Sequence, residues 1–387
     1  MITRFSRSTH DPLGHDGAVP VPDELQDQVF RLWGSVDAQA ESLAHNQYLT
    51  ANVWRVTAGT DRAIVKRLRR PTDRHGSAWD RHWTAGSSTE SHWNFWEREA
   101  RSYESGLVDV FAPDGIRGPR CFAVERSADH VSLWLEEADG APGERWGLSL
   151  YADAAEALGA AQARLTADDR RPLFPWLSQN YLADYSREKP VDWSLLTSDE
   201  AWLRPLVRDN VPAELRRETN FLHDARDALY ATACRLPRTL CHLDFWSKNL
   251  FADTNGIVLI DWAFVGEGAL GEDIGNLVLD AVFDHFVPVA QLAELDALVF
   301  DAYVRGLRRG GWTGDERIVR LGMCSLAVKY DWLTPFMLAG ATADRHLAYG
   351  GMVEVDAAHR YRERGSALLH ACRWARDALA LAEQLGI

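Results

Sequence analysis

Between residues 241 and 262 the chain reads Cys241-His242-Leu243-Asp244-Phe245-Trp246-Ser247-Lys248-Asn249-Leu250-Phe251, then Ile260-Asp261-Trp262 after an apolar run. An Asp, an Asn five residues on, and a second Asp just past a run of Ile and Val narrow the possible chemistry sharply. One carboxylate can orient an attacking hydroxyl. An amide and another carboxylate can hold a Mg²⁺ that neutralises phosphate charge.

The rest of the chain supplies the framework such a site needs. Asn52 to Thr57 alternates in polarity, Ala58 to Asp61 supplies turn residues, and Arg62 to Leu68 reads as the returning strand. Phe95 to Leu107 carries Trp96, Ala100, Tyr103 and Leu107 at helical spacing. Arg120 to Val124 and Val131 to Leu135 read as a second hairpin, closed by Asp139 to Gly143. From Tyr151 onward helical spacing dominates, interrupted by an irregular, aromatic-rich stretch over 170–200 and a strand–turn–strand unit over 239–262. The pattern predicts an α+β chain with a β-rich first lobe over 23–140, a mostly helical second lobe over 141–387, and a loose leader over 1–22. Residues 71–92 read as a long loop.

At 387 residues, roughly two such units are expected. The net charge of −14 disfavours a nucleic-acid partner, whose phosphates demand a basic face. Met1 to Leu13 lacks the apolar core of a signal peptide. No run nears the roughly 18 apolar residues of a membrane span. Five scattered cysteines without a CxxC pair fit reduced thiols in the cytoplasm. Lysine is scarce, with Lys66, Lys189, Lys248 and Lys329 against 42 Lys and Arg in total. A lysine kept where arginine is otherwise used suggests a position needing a compact point charge.

Taken together, these residues resemble the aminoglycoside phosphotransferase and choline-kinase-like family, whose fold is protein-kinase-like with two lobes. Ala63-Ile64-Val65-Lys66 is similar to the family's strand lysine, and Glu97-Arg98-Glu99-Ala100 to the helix whose Glu pairs with it. Glu137-Ala138-Asp139-Gly140 resembles the hinge, which implies adenine contacts from the backbone of Glu136 and Ala138. His242 to Leu250 resembles the catalytic loop, with Asp244 as the implied catalytic residue. The resemblance implies a Mg²⁺ held by Asn249 and Asp261, ATP bound with the help of Lys66 and Glu99, and His242 as a strut. Gly271-Glu272-Asp273-Ile274 is similar to a following step in which the Asp is structural.

Two departures stand out. The family's frequent Gly after the His is Leu243 here. The segment Asn46 to Asn52 carries no Gly-rich phosphate loop. Gly306 to Gly314 is no phosphate loop either, lacking a preceding strand and a Lys-Ser/Thr ending.

The implied activity is transfer of the ATP γ-phosphate to a hydroxyl of a small molecule, an aminoglycoside-type antibiotic first and hence a resistance role. The alternatives are a kinase of a metabolic sugar or amino-alcohol, and a non-catalytic nucleotide-binding pseudokinase. Trp176, Tyr181, Trp193, Trp262 and Trp332 could stack on an acceptor, and Asp331-Trp332 and Asp344-Arg345-His346 fall where the family builds its acceptor pocket. Oligomeric state and ATP-versus-GTP preference stay open.

Overall fold

A computed structural model describes residues 19–43, 49–71, 78–166, 172–187, 189–342 and 355–387. The first half holds strands β1 (Val19–Pro20), β2 (Gln39–Ser42), β3 (Thr50–Ala58), β4 (Asp61–Arg69), β5 (Ile116–Arg117), β6 (Cys121–Arg126), β7 (His130–Leu135) and β8 (Ala141–Pro142). Among them run helices α1 (Asp23–Trp33), α2 (Ala78–Thr84) and α3 (Arg98–Glu104). Six of the strands form one sheet in the order β1-β2-β3-β4-β7-β6, every neighbour antiparallel.

The hairpins expected from alternation are β3–β4 and β6–β7. Alternation along β4 sends Ala63 and Val65 to a small apolar cluster with Leu25 and Val29 of α1 and Val56 and Trp134 of the sheet. Lys66 and Leu68 therefore face the other way, toward α3 and the second half of the chain. Three readings change. The stretch taken as a leader contains β1, which pairs with Ala40 and Gln39. The 71–92 loop contains α2. The helix expected from Phe95 begins only at Arg98, because Phe95 is irregular and Trp96 and Glu97 form a turn before it.

The second half adds helices α4 (Leu148–Leu165), α5 (Tyr181–Arg187), α6 (Asp199–Trp202), α7 (Pro205–Arg208), α8 (Leu215–Arg235), α9 (Glu272–Phe283), α10 (Leu292–Arg309), α11 (Glu316–Ser325), α12 (Leu333–Gly340) and α13 (Ala357–Leu385). Its strands are β9 (Arg238–Cys241), β10 (Leu250–Asp253), β11 (Gly256–Leu259) and β12 (Gly266–Ala269). β9 pairs with β12, and β10–β11 forms a hairpin flanked by β5 and β8. α5 lies inside the stretch read as irregular; its seven residues are too few to show a period.

Every residue of α9 is buried, making it the axis around which the other helices pack. α4 and α10 touch backbone to backbone. A Cβ on Gly159 would come within 2.3 Å of the Tyr303 carbonyl oxygen, and one on Gly306 within 2.0 Å of that of Glu156. No described helix is long and apolar enough to cross a membrane.

Candidate active site

The β9–β10 connection carries the motif and is clamped from below. Asp273, in the first turn of α9, accepts the backbone N–H of His242 at 2.9 Å and of Leu243 at 2.8 Å. Gln162 of α4 donates to the same carboxylate at 2.9 Å. The clamp holds Leu243 at φ 65, in the left-handed region where a Cβ costs about 1–2 kcal/mol. Asp261, just past β11, is likewise left-handed at φ 61. Strain of this kind collects at functional sites, where surrounding bonds over-determine the backbone.

The loop and the sheet meet in a cavity of about 220 Å³ lined by Lys66, Glu99, Asp244, Asn249 and Asp261. Lys66 Nζ lies 2.6 Å from Glu99 Oε2 and 2.8 Å from Asp261 Oδ1, joining β4, α3 and the end of β11. Burial alone would lower the Lys66 pKa, but the two carboxylates outweigh it and hold the ammonium above its usual range. Burial pushes Glu99 up to about 7 despite Lys66. Asp261 goes the opposite way: Lys66 overcomes burial and keeps its carboxylate ionised.

Asn249 Nδ2 donates to the Asp244 carbonyl at 2.9 Å and to Asp244 Oδ2 at 2.8 Å. Burial raises Asp244 to about 7, opposed most by Lys329. His242 is fully buried with its ring edge-on to Trp262 at 5.0 Å, and burial lowers it to about 4. It is a neutral packing element in the loop.

Glu136 and Ala138 do not line this cavity. The Glu136 backbone N–H is committed to the Arg120 carbonyl at 2.8 Å, and its carboxylate to Arg117 at 2.8 Å. The Glu137 carboxylate pairs with Arg55 at 2.7 Å. Of the aromatics expected to meet an acceptor, Tyr181 lines the cavity. Trp176 stacks on Phe174, Trp193 on His223, and Trp262 is packed in the core. Residues 46–48 and 344–346 lie outside the described residues.

Other residues at the site were not singled out from sequence. Trp83, Tyr185, Trp246, Phe264 and Asp280 also line the cavity. Arg98, next to Glu99, is fully buried and donates to the carbonyls of Trp93 (2.7 Å), His92 (2.6 Å), Trp176 (2.7 Å) and Ala263 (3.1 Å). It ties α3 to the segment just past Asp261. Lys329 donates to Asn276 Oδ1 and sits 3.8 Å from Asp280.

Lys189 lies in a box of rings, its Nζ 3.5 Å from the centroid of Tyr185, 4.9 Å from Trp332, 5.1 Å from Trp83 and 5.8 Å from Trp79. The scarcity of lysine was the available signal. All of the lysines are at least four-fifths buried, with exposures of 12% for Lys66, 4% for Lys189, 18% for Lys248 and 2% for Lys329.

A β-rich lobe above a helical one, with a Lys–Glu pair on one side of the cleft and an Asp–Asn loop on the other, defines a protein-kinase-like phosphotransferase. Residues 42–312 match the phosphotransferase enzyme family, and the chain belongs to it. Among solved structures, the choline/ethanolamine kinase family protein from Mesorhizobium loti is 16% identical with a TM-score of 0.51, covering 93% of this chain and 99% of that one. The amicoumacin kinase hAmiN, solved with AMP-PNP, Ca²⁺ and Ami, is 14% identical with a TM-score of 0.50, covering 87% and 88%. At these identities the likeness is one of fold. No curated protein sequence matches the chain.

Proposed function

We propose that this chain transfers the γ-phosphate of ATP to a hydroxyl of a small molecule. The observation that carries the reading is the meeting of Lys66, Glu99, Asp244, Asn249 and Asp261 in one cavity, from segments up to 195 residues apart.

These residues suit Mg-ATP. Asn249 Nδ2 is committed to Asp244, so its carbonyl oxygen remains as a donor, and Asp261 keeps Oδ2 when Oδ1 holds Lys66. Such hard oxygen donors are the kind Mg²⁺ takes. The metal's contribution is to neutralise phosphate charge. Lys66, oriented by Glu99, would meet the phosphates as a point charge. Asp244, with its proton affinity raised close to neutrality, would orient the acceptor hydroxyl and take its proton. Glu136 and Ala138 would serve adenine through the backbone, Ala138 by its N–H and Glu136 by its carbonyl.

The acceptor side supports an uncharged polyhydroxy ring. Trp83, Tyr181, Tyr185, Trp246 and Phe264 offer faces for stacking, and Asn94 an amide. The carboxylate of Asp280 is met by Lys329 at 3.8 Å, and Glu99 and Asp261 share Lys66, so the lining keeps an excess of carboxylates that a cationic acceptor could also use. The nearby aromatic box is filled by Lys189, which disfavours a quaternary amino-alcohol. An aminoglycoside-type antibiotic is the second reading, from the family, the net charge of −14 and the lining carboxylates.

Mass spectrometry tests this directly. The protein is incubated with Mg-ATP and pooled sugars, aminoglycosides and amino-alcohols, with Asp244→Ala as control. A phosphorylated product made only by the wild type is expected, and among the sugars. ATP binding without product from any pool would favour a non-catalytic nucleotide-binding protein.

A further inference from the structure

Away from the catalytic cavity, the turn after α9 meets the first turns of α13. His285 follows α9, and His359 and Glu363 lie four residues apart on α13, hence on one helical face. One ligand atom from each of the three comes within 4.8 Å of the others. The His285 and His359 rings are 5.7 Å apart. From these placements we propose that His285, His359 and Glu363 bind a zinc-type divalent cation and thereby pin the end of α9 to α13.

The donor chemistry fits. Two imidazoles and one carboxylate, with water in the fourth position, form a set that Zn²⁺ accepts in tetrahedral geometry. An independent observation points to a ligand: both ring nitrogens of His285 are shut off from solvent and have no hydrogen-bond partner. Buried polar atoms are nearly always paired, so an imidazole with neither nitrogen satisfied needs an account. Glu363 is held for the task. Its Oε2 accepts the Val289 backbone N–H at 2.8 Å, which fixes the carboxylate and leaves Oε1.

His285 also has φ 63. Among the described residues the other non-glycine positions with positive φ are Leu243 and Asp261, both in the catalytic segments. Arg360 and Arg364 lie nearby on α13 and oppose a cation. Arg364 is met by Asp284 at 3.5 Å and by the Phe283 carbonyl at 2.9 Å, so part of that charge is already answered.

The site would act on the enzyme's architecture, not on its reaction. Phe286, next to His285, lies 6.5 Å ring to ring from Trp246 in the catalytic loop. Asp280, one turn earlier on α9, lines the catalytic cavity.

The test is zinc binding by the full chain, read by equilibrium dialysis with metal analysis, and by the rise in Tm when Zn²⁺ is added. His359→Ala removes a ligand, and Glu363→Gln keeps the acceptor for Val289 while weakening the donor. Comparison with these variants subtracts zinc held elsewhere, as by exposed Cys234. The wild type should hold one more zinc per chain than either variant, or hold it at least about 10-fold more tightly. Only the wild type should gain Tm with zinc. Equal zinc content and equal Tm gain in all three proteins, or no zinc on the wild type, would overturn the site. Neither readout depends on whether the acceptor has been identified.

Discussion

Asp273 accepts the backbone N–H of Leu243 at 2.8 Å and so holds the loop that carries Asp244 in a backbone shape that a leucine resists. This one carboxylate links the central helix α9 to the residue preceding Asp244. Its removal should be felt both in stability and in turnover.

Asp273→Ala leaves the buried backbone N–H groups of His242 and Leu243 without their acceptor and removes one of those of the Gln162 amide, which keeps the Leu240 carbonyl at 3.0 Å. A cost of about 3 kcal/mol or more is expected in urea denaturation, with turnover lost in parallel. Asp273→Asn should cost less. Burial raises the Asp273 pKa to about 7, so its contribution is fully present below the unfolded value and fades as pH rises through that region. The stability advantage of wild type over Asp273→Asn should therefore shrink between pH 5 and pH 8. A growing advantage over that range would refute the assignment.

Arg98 should prove hard to replace. Arg98→Met would take the guanidinium donor from the carbonyls of Trp93, His92, Trp176 and Ala263, of which His92 keeps the Phe95 N–H at 3.1 Å, and Arg98→Lys can reach only one or two of them. Both variants should lose stability by about 2 kcal/mol or more. Where the lysine variant folds, kcat should fall because α3 no longer aligns Glu99 with Lys66. Unchanged melting and unchanged kcat would show that α3 is held by other contacts.

Lys66→Ala removes the cation between Glu99 and Asp261. kcat/KM for the nucleotide should drop by about 10²-fold, the scale of a lost positioning charge in a phosphoryl-transfer site. Glu99→Gln keeps the lysine's hydrogen-bond acceptor and should lose less. A Lys66→Ala enzyme with normal kcat/KM would remove this lysine from the chemistry.

Leu243→Gly sets two effects against each other. Glycine relieves about 1–2 kcal/mol of left-handed strain. It also gives up the burial of a leucine side chain that is 3% exposed, about 1.5–3 kcal/mol, and adds chain entropy of about 0.5–1 kcal/mol. The packing loss should win, with a net destabilisation of about 1–2 kcal/mol measured by denaturant midpoint. A stabilised glycine variant would show that strain dominates.

How much of this could be read in the sequence follows from where the information is local. The β3–β4 hairpin declares itself by alternation, and Lys66 falls within β4 on the face opposite Ala63 and Val65. The catalytic loop is dense enough in chemistry to stand out without neighbours. Arg98 is different: its importance comes from four carbonyls contributed by three separate segments, and no local pattern marks their convergence. α5 is too short for periodicity, so Tyr181 and Tyr185 looked like part of an irregular stretch. Trp176 and Trp262 looked as available for stacking as Trp83 and Trp246, because sequence records an aromatic but not which side of a wall it faces. The segment expected as a hinge shows the reverse limit. Its residues resemble a family motif, while the commitments of Glu136 and Glu137 to Arg117 and Arg55 come from the fold.

The distribution of lysines gives the protein an unusual chemical reactivity. Exposed positive charge is carried by arginine, while all of its lysines are sequestered in or beside the cleft and its catalytic loop. Amine-selective acylating reagents should therefore find few targets on the intact surface, and a protease specific for lysyl bonds should find no accessible one. Cleavage at the lysines would report the collapse of the fold as a whole. The same protein thus carries its own built-in reporters, without the need to introduce a label.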